Sequence, residues 1–268
     1  MLKITQPAVQ PRAGSAPAFI LDPKGIAMIW QRDMVRLWRQ RTRLLGAIAR
    51  ALVWLFALGL GLRGSLSSIS GFSYEQFVFP GVIAMTVIFS GLQSAISIVY
   101  DREFGFLKEV QVAPTPRSTL VIGKCLGGAS SSTVQALIIL IFAPFASVTL
   151  NPFNVLATIV ATFVTALAIS GLGVVIAMWI TDFENFGTIQ NFITLPLYMF
   201  SGAIFPTRQV PPWLHVVLLL NPLSYGVNAI RGVLLGYDIA SVPFNLAVLL
   251  AFTVIMILIA IAMSRKEV

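Results

Sequence analysis

Charged side chains are scarce in this chain, so those that cluster at short spacing stand out. Residues 100–124, YDREFGFLKEVQVAPTPRSTLVIGK, set Asp101, Arg102, Glu103, Lys108 and Glu109 around Gly105 and close with Pro114 and Pro116. Alternating charges at these intervals pair along a short helix standing out of the membrane, and Pro114 stops it. A merely solvated loop fits the same composition. Further on, Ser224, Asn228 and Arg231 recur at near-helical spacing. An arginine in apolar surroundings needs a partner or water, and Asp238 is close in sequence. Bond-breaking chemistry finds no such support. His215 stands alone, which argues against a His-based metal site or triad. Cys125 is the one cysteine, so an internal disulfide and a Cys-rich metal site are excluded. Gly123-Lys124 is followed by Cys125, with Ser118 where a phosphate-binding loop needs its first glycine, so the chain has no ATP site of that kind. The chain reads as non-catalytic, with no metal and no cofactor of its own.

The elements that must position these residues are set by composition. The chain of 268 residues is 57% hydrophobic and 10% charged, against roughly a quarter charged in soluble proteins. At about 20 residues per crossing, six spans fill it: 44–62, 77–100, 125–148, 154–180, 187–205 and 242–263. The expected fold is an all-α polytopic membrane protein with six transmembrane helices. An N-terminal amphipathic interface helix precedes them, and an outer re-entrant helical hairpin lies before the last span. Residues 1–24 read as a mobile leader, 25–43 as the interface helix and 44–268 as the membrane domain, with a loop at about 101–119 and the hairpin at about 206–236. Residues 1–20 hold three prolines and no sustained apolar core, so no signal peptide is expected.

Orientation follows from Lys and Arg. Eight precede the first span, Arg102, Lys108, Arg117 and Lys124 lie between the second and third, and Arg265 and Lys266 follow the last. Only Arg63, Arg208 and Arg231 fall in the alternate loops. Both termini are therefore expected in the cytoplasm. Arg50, two turns into the first span, is tolerated if its stem snorkels or packs against protein. A net charge of +8 is thus membrane topology, and no nucleic-acid partner is expected.

In residues 25–43, GIAMIWQRDMVRLWRQRTR, Ile26, Trp30, Met34, Leu37 and Trp38 share one face, and Arg32, Arg36, Arg39 and Arg43 another. That pattern fits a helix in the headgroup layer, tryptophans down and arginines toward anionic lipid. Asn221-Pro222 is a cap followed by a first-turn proline, which predicts a short helix over 222–235. Its irregular surroundings suit a hairpin buried in protein or lining a cavity. Gln93, Gln135, Gln190 and Asn191 are polar within spans, and the Gly127-Gly128-Ala129-Ser130 run lets helices approach. Gln93, Gln190, Phe192, Tyr198 and Phe200 are candidates for a substrate path; packing or a dimer interface accounts for them equally.

The segments SGAIFPTRQVPPWL and NPLSYGVNAIRG resemble the signature of type-2 ATP-binding-cassette exporter permeases, the family that includes daunorubicin-resistance and nodulation-factor export permeases. The resemblance covers nearly the whole chain from about residue 25. It implies a half-transporter: a second permease chain, identical or related, pairs in the membrane, and two separately encoded ATPase subunits carry ATP and Mg. It further implies ATPase contacts through the interface helix, with Trp30, Arg36, Trp38 and Arg39, and through Asp101, Arg102, Glu103, Gly105, Lys108 and Glu109. The same resemblance implies a further approach to the ATPase at Asp182 to Asn185. Phe106 stands where many members carry a small hydroxylated residue. Pro206, Asn221, Pro222, Tyr225 and Arg231 would shape an outer gate. The implied activity is export of a hydrophobic or amphiphilic compound, drug or lipid, from a bacterial-type inner membrane. Export of a lipid-linked glycan is the alternative within the family; a secondary transporter or integral-membrane enzyme is the alternative outside it.

Overall fold

The computed structural model describes residues 22–59, 61, 69, 71–103, 116–180, 182–207, 210–237 and 240–264. Within them the chain is helical, with one isolated bridge between Ile69 and Phe72. Residues 1–21 of the expected leader, the loop residues Gly105, Lys108 and Glu109, and also Arg63, Arg208, Asp238, Arg265 and Lys266 lie outside the described residues, whereas Asp22 to Lys24 begin the first helix.

Helix α1 spans Pro23–Arg39 and starts where local chemistry dictates: the Asp22 carboxylate accepts from the Lys24 amide and Pro23 fills the first turn. A break at Gln40 separates it from α2, Arg41–Gly59. Then come α3, Tyr74–Glu103, and α4, Arg117–Leu140. A 3₁₀ turn, Ala143–Ala146, leads to α5, Pro152–Trp179, which Asn151 caps at the Phe153 amide. Helix α6 spans Phe183–Met199. Helices α7, Pro212–Leu220, and α8, Pro222–Leu235, meet at Asn221 with a bend of 85°. Helix α9, Val242–Ser264, ends the described chain.

Four of these, α2, α3, α5 and α9, are long and apolar enough to cross a bilayer, and the bent α7–α8 pair makes up to five. The expected third and fifth spans fall on α4 and α6, which are not among these helices. Helix α4 begins at Arg117, ahead of the expected residue 125, because extended Pro116 ends the preceding loop there. It stops at Leu140 because the Pro144 turn and the left-handed Ser147, φ 55°, redirect the chain. Helix α6 has 17 residues and gives way at Phe200 to a turn through Gly202, φ 73°, so it ends short of the expected 205.

Helix α3 is the centre of the bundle. It packs against α2, α4, α5, α6 and α8, while α9 covers α5 and α8. Phe77, Val78, Phe79, Val82, Ala84, Val87 and Ile88 are all fully buried. Small residues set the closeness: a Cβ on Gly128 would lie 2.3 Å from Ser94 Oγ and 2.8 Å from Ser170 Oγ, so α3, α4 and α5 meet there backbone to side chain. Hydroxyls in the core are turned inward. Those of Thr86, Thr133, Thr165, Thr194 and Thr253 each donate to the carbonyl four residues back. The opposite surfaces of α5 and α9 carry exposed Phe153, Leu156, Val160, Leu250, Val254 and Ile255. Apolar outside and bonded inside is the arrangement a bilayer requires.

Candidate functional site

The charged residues gather at one end of the bundle. Lys124 of α4 is buried, and its Nζ donates to Ser97 Oγ at 2.7 Å and to Asp33 Oδ1 at 3.4 Å. Asp101 Oδ2 lies 3.7 Å from the same nitrogen and accepts from Arg32 Nη2 at 3.1 Å. Two cations and two carboxylates thus alternate across α1, α3 and α4. The pairing satisfies charges that burial would otherwise penalise by several kcal/mol each.

Glycines make the arrangement reachable. A Cβ on Gly123 would meet Ile29 at 2.9 Å, and one on Gly127 would meet Asp33 Oδ2 at 2.5 Å, so α1 lies directly on the glycine face of α4. The buried face of α1 includes Gly25, Ile29, Asp33 and Leu37. This differs from the face expected to enter lipid. Trp30 is 41% exposed and donates its indole N–H to Ser130 Oγ at 3.0 Å, and Trp38 is 69% exposed. Arg36 and Arg39 are exposed as well. Periodicity located an amphipathic helix, but the glycine face of α4 selects which stripe it covers.

The described part of the charged loop continues α3. Arg102 donates to the carbonyls of Met178 and Ile180, the latter at 3.1 Å, where the end of α5 leaves acceptors unused. Glu103 is exposed on the last turn of α3. Arg117 donates to the Ser264 carbonyl and so joins the start of α4 to the end of α9.

Beside this cluster two cavities open, of about 230 Å³ and 530 Å³, with Arg43 and Gln93 lining both. Arg36 lines the smaller; Arg50, Gln135, Gln190 and Asn191 line the larger. Of the candidate path residues, Gln93 and Gln190 come together here. Phe192, 81% exposed, and Phe200 face outward, while Tyr198 is buried edge-on to Trp54.

The far end of α3 meets the hairpin. Asn221 Nδ2 donates to the carbonyls of Leu197 and Phe200 at 2.7 and 2.9 Å, and its Oδ1 accepts from the Leu223 amide at 2.9 Å. One side chain therefore ends α6, bends the α7–α8 connection and caps α8. Pro222 is buried, Pro206 is exposed, and the Tyr225 hydroxyl donates to the Leu219 carbonyl at 2.9 Å. Arg231 is fully buried: its Nη2 donates to the carbonyls of Gly202 and Ala203 at 2.9 and 3.3 Å, and the guanidinium lies 3.9 Å from the Phe77 ring centre. Its partners in the described chain are thus carbonyls and a ring. Asn228 is half-buried and Ser224 buried on the same helix.

Sequence reasoning did not single out Asp33, Ser97 or Lys124 as a site. Their partners are 27 and 91 residues apart in the chain, and a lysine flanking a span looks like an ordinary topology signal. The available clue was a charged residue, Asp33, opposite glycines that a later helix could use.

Comparison with known proteins agrees with this arrangement. The family model described as ABC-2 type transporter matches residues 24–235, a stretch that holds the ionic cluster, both cavities and the hairpin. Nodulation protein J of Rhizobium leguminosarum bv. viciae is 25% identical, covering 89% of this chain and 93% of its own. The inner membrane transport permease YadH of Escherichia coli K12 is 24% identical over the same shares. The ycf38 protein of Pyropia yezoensis is 30% identical over 80% of this chain and 73% of its own. With a family match across most of its length and a multi-span helical fold, the chain belongs to the ABC-2 type transporter family and is a transport permease of that type.

Proposed function

We propose that the chain is the transmembrane permease subunit of an ATP-driven exporter, moving a hydrophobic or amphiphilic compound, drug or lipid, out of the cytoplasm or inner leaflet. The observation that carries this reading is the three-helix ionic cluster at Lys124, which joins α1 to the end of α3 just where the charged loop leaves. A partner pressing on that loop would move α1, α3 and α4 together, as a rigid-body step requires. In this reading α4 and α6 complete six spans, and the cluster end and both termini face the cytoplasm of a bacterial-type inner membrane. A second copy or related chain pairs with it. Two separate ATPase subunits bind ATP and Mg and dock on α1 and on residues 101–109, with Trp30, Arg36, Trp38 and Arg39 on the exposed surface of α1. The hairpin around Arg231 forms the outer gate.

A second reading, export of a lipid-linked glycan, draws support from the amide-lined larger cavity, where Gln93, Gln135, Gln190 and Asn191 offer hydrogen bonds to hydroxyls, and from the likeness to nodulation protein J.

The test is to isolate the tagged chain from its native host in mild detergent and identify what accompanies it. A stoichiometric ATPase whose hydrolysis responds to added amphiphile supports the proposal; an intact chain that never carries one refutes it. Reversing charge at Glu103 and Glu109 together is expected to lower export severalfold while membrane insertion is retained. Unchanged export would remove the docking role of residues 101–109.

A further inference from the structure

Three arginines repeat at intervals of seven along α1 and α2: Arg36, Arg43 and Arg50. Seven residues are about two helical turns and about 10 Å of rise, so Arg43 and Arg50 on α2 lie one above the other. Arg43 lines both cavities described above, Arg50 the larger and Arg36 the smaller. Among the described residues none of the three is within ion-pair distance of a carboxylate; Asp33, the acid lining the smaller cavity, acts on Arg43 only at longer range and is engaged by Lys124. Arg43 uses one nitrogen on the Ser90 carbonyl at 3.3 Å, and Arg50 stacks its guanidinium 4.3 Å from the Phe89 ring centre. Stacking fixes the guanidinium plane and leaves its edge N–H groups able to donate.

Arg43 is half-buried and Arg36 and Arg50 are exposed to the groove, where cations beside a span favour an anion as partner. The neighbouring groups are neutral and polar. Gln135 donates to Ser90 Oγ at 2.7 Å, and Gln190, only 5% exposed, has a carbonyl oxygen that meets no donor among the described residues. We propose that this groove is a binding site for a phosphate-bearing amphiphile, with the Arg36–Arg43–Arg50 ladder taking the phosphate and Gln190 a polar group next to it. Guanidinium forks match phosphate geometry with two parallel N–H···O bonds. Two stations about 10 Å apart on α2 give the anion a first cation at Arg43, beside the ionic cluster, and a second at Arg50 deeper along the groove. The inference deepens the export reading by giving its cargo a chemical class, and it rests on that reading for the direction of movement.

Binding is measured on the full-length chain in neutral detergent without any ATPase, by native mass spectrometry with three probes: dioctanoyl phosphatidic acid, inorganic pyrophosphate and dioctanoylglycerol. Phosphatidic acid is expected to bind at least tenfold more tightly than the neutral diacylglycerol. Arg50→Gln is expected to lower that affinity about tenfold, and Arg50→Lys, which keeps the charge, to recover part of it. Pyrophosphate that binds or competes identifies the phosphate group itself as sufficient; phosphatidic acid binding without such competition means that the acyl chains are also required. Both results support the site. Equal binding of charged and neutral probes, or phosphatidic acid binding unaffected by both Arg50→Gln and Arg43→Gln, overturns it and marks ordinary surface lipid. Failure here with an ATPase still co-purifying removes the ligand assignment alone. Binding intact with no ATPase ever found removes the export reading instead.

Discussion

Replacing Lys124 with methionine tests whether the ionic cluster fastens α1 to the bundle. The substitution keeps an unbranched side chain of similar length but removes the cation 2.7 Å from Ser97, 3.4 Å from Asp33 and 3.7 Å from Asp101. Stripping one partner from a fully buried pair costs about 3–5 kcal/mol. Here Asp33 and Asp101 retain 13% and 20% side-chain exposure, and Arg32 still neutralises Asp101. The penalty falls mainly on Asp33 and comes to about 2 kcal/mol. At 1.4 kcal/mol per tenfold change, that is roughly a 30-fold larger fraction of molecules with α1 undocked. Limited trypsin digestion in detergent reads this fraction, because Arg36 and Arg39 of α1 are cleavage sites whose rate follows the open population when reclosing is fast. Lys124→Met is expected to speed cleavage within α1 by about an order of magnitude or more. Adding Asp33→Asn, which removes the orphaned charge, is expected to restore most of the protection. Equal cleavage rates in the parent chain and Lys124→Met, or a double variant cut as fast as the single one, would refute the fastening role.

Other perturbations probe the packing and the hairpin. Arg231→Ala removes the donors to two carbonyls and the stack on Phe77; it is expected to cost about 3 kcal/mol and to lower transport while ATPase co-purification persists, and loss of that co-purification would assign Arg231 to the fold as a whole. Gly128→Val forces a side chain into the 2.3 Å approach to Ser94 and is expected to lower the melting temperature through about 1–3 kcal/mol of overpacking. Gly187→Ala, on α6 where an added Cβ meets nothing within 4 Å, is expected to raise stability by about 0.5–1 kcal/mol. Equal melting temperatures for these two glycine variants would contradict the packing described for α3, α4 and α5.

What could be read from the sequence was what local chemistry decides. Asn221-Pro222 marks the start of a helix that runs over Pro222–Leu235. The apolar runs of α2, α3, α5 and α9 are long enough to declare themselves. What sequence reasoning placed less well depends on distant partners. The stripe of α1 that packs is selected by glycines on α4, and Asp33 meets Lys124 across 91 residues of chain. The helix expected at 125–148 runs instead over Arg117–Leu140, because its first eight residues carry Arg117 and Lys124, which a hydropathy window leaves out of an apolar run. Arg231 meets two backbone carbonyls from the turn after α6, 29 and 28 residues earlier in the chain, while Asp238, its expected partner, lies outside the described residues.

From Pro80 onward α3 runs without interruption to Glu103, about 24 residues and so about 36 Å of stiff rod. At one tip Asp101 and Arg102 grip α1, α4 and the end of α5. At the other, Gly81 leaves so little room that a Cβ there would lie 2.6 Å from the Ala203 carbonyl oxygen, the same oxygen Arg231 binds. A tilt of about 5° around the midpoint would swing each tip by about 1.5 Å, enough to take a 3 Å hydrogen bond out of range. A small push at the charged tip would therefore be felt, with no intervening hinge, at the Ala203 carbonyl that accepts from Arg231.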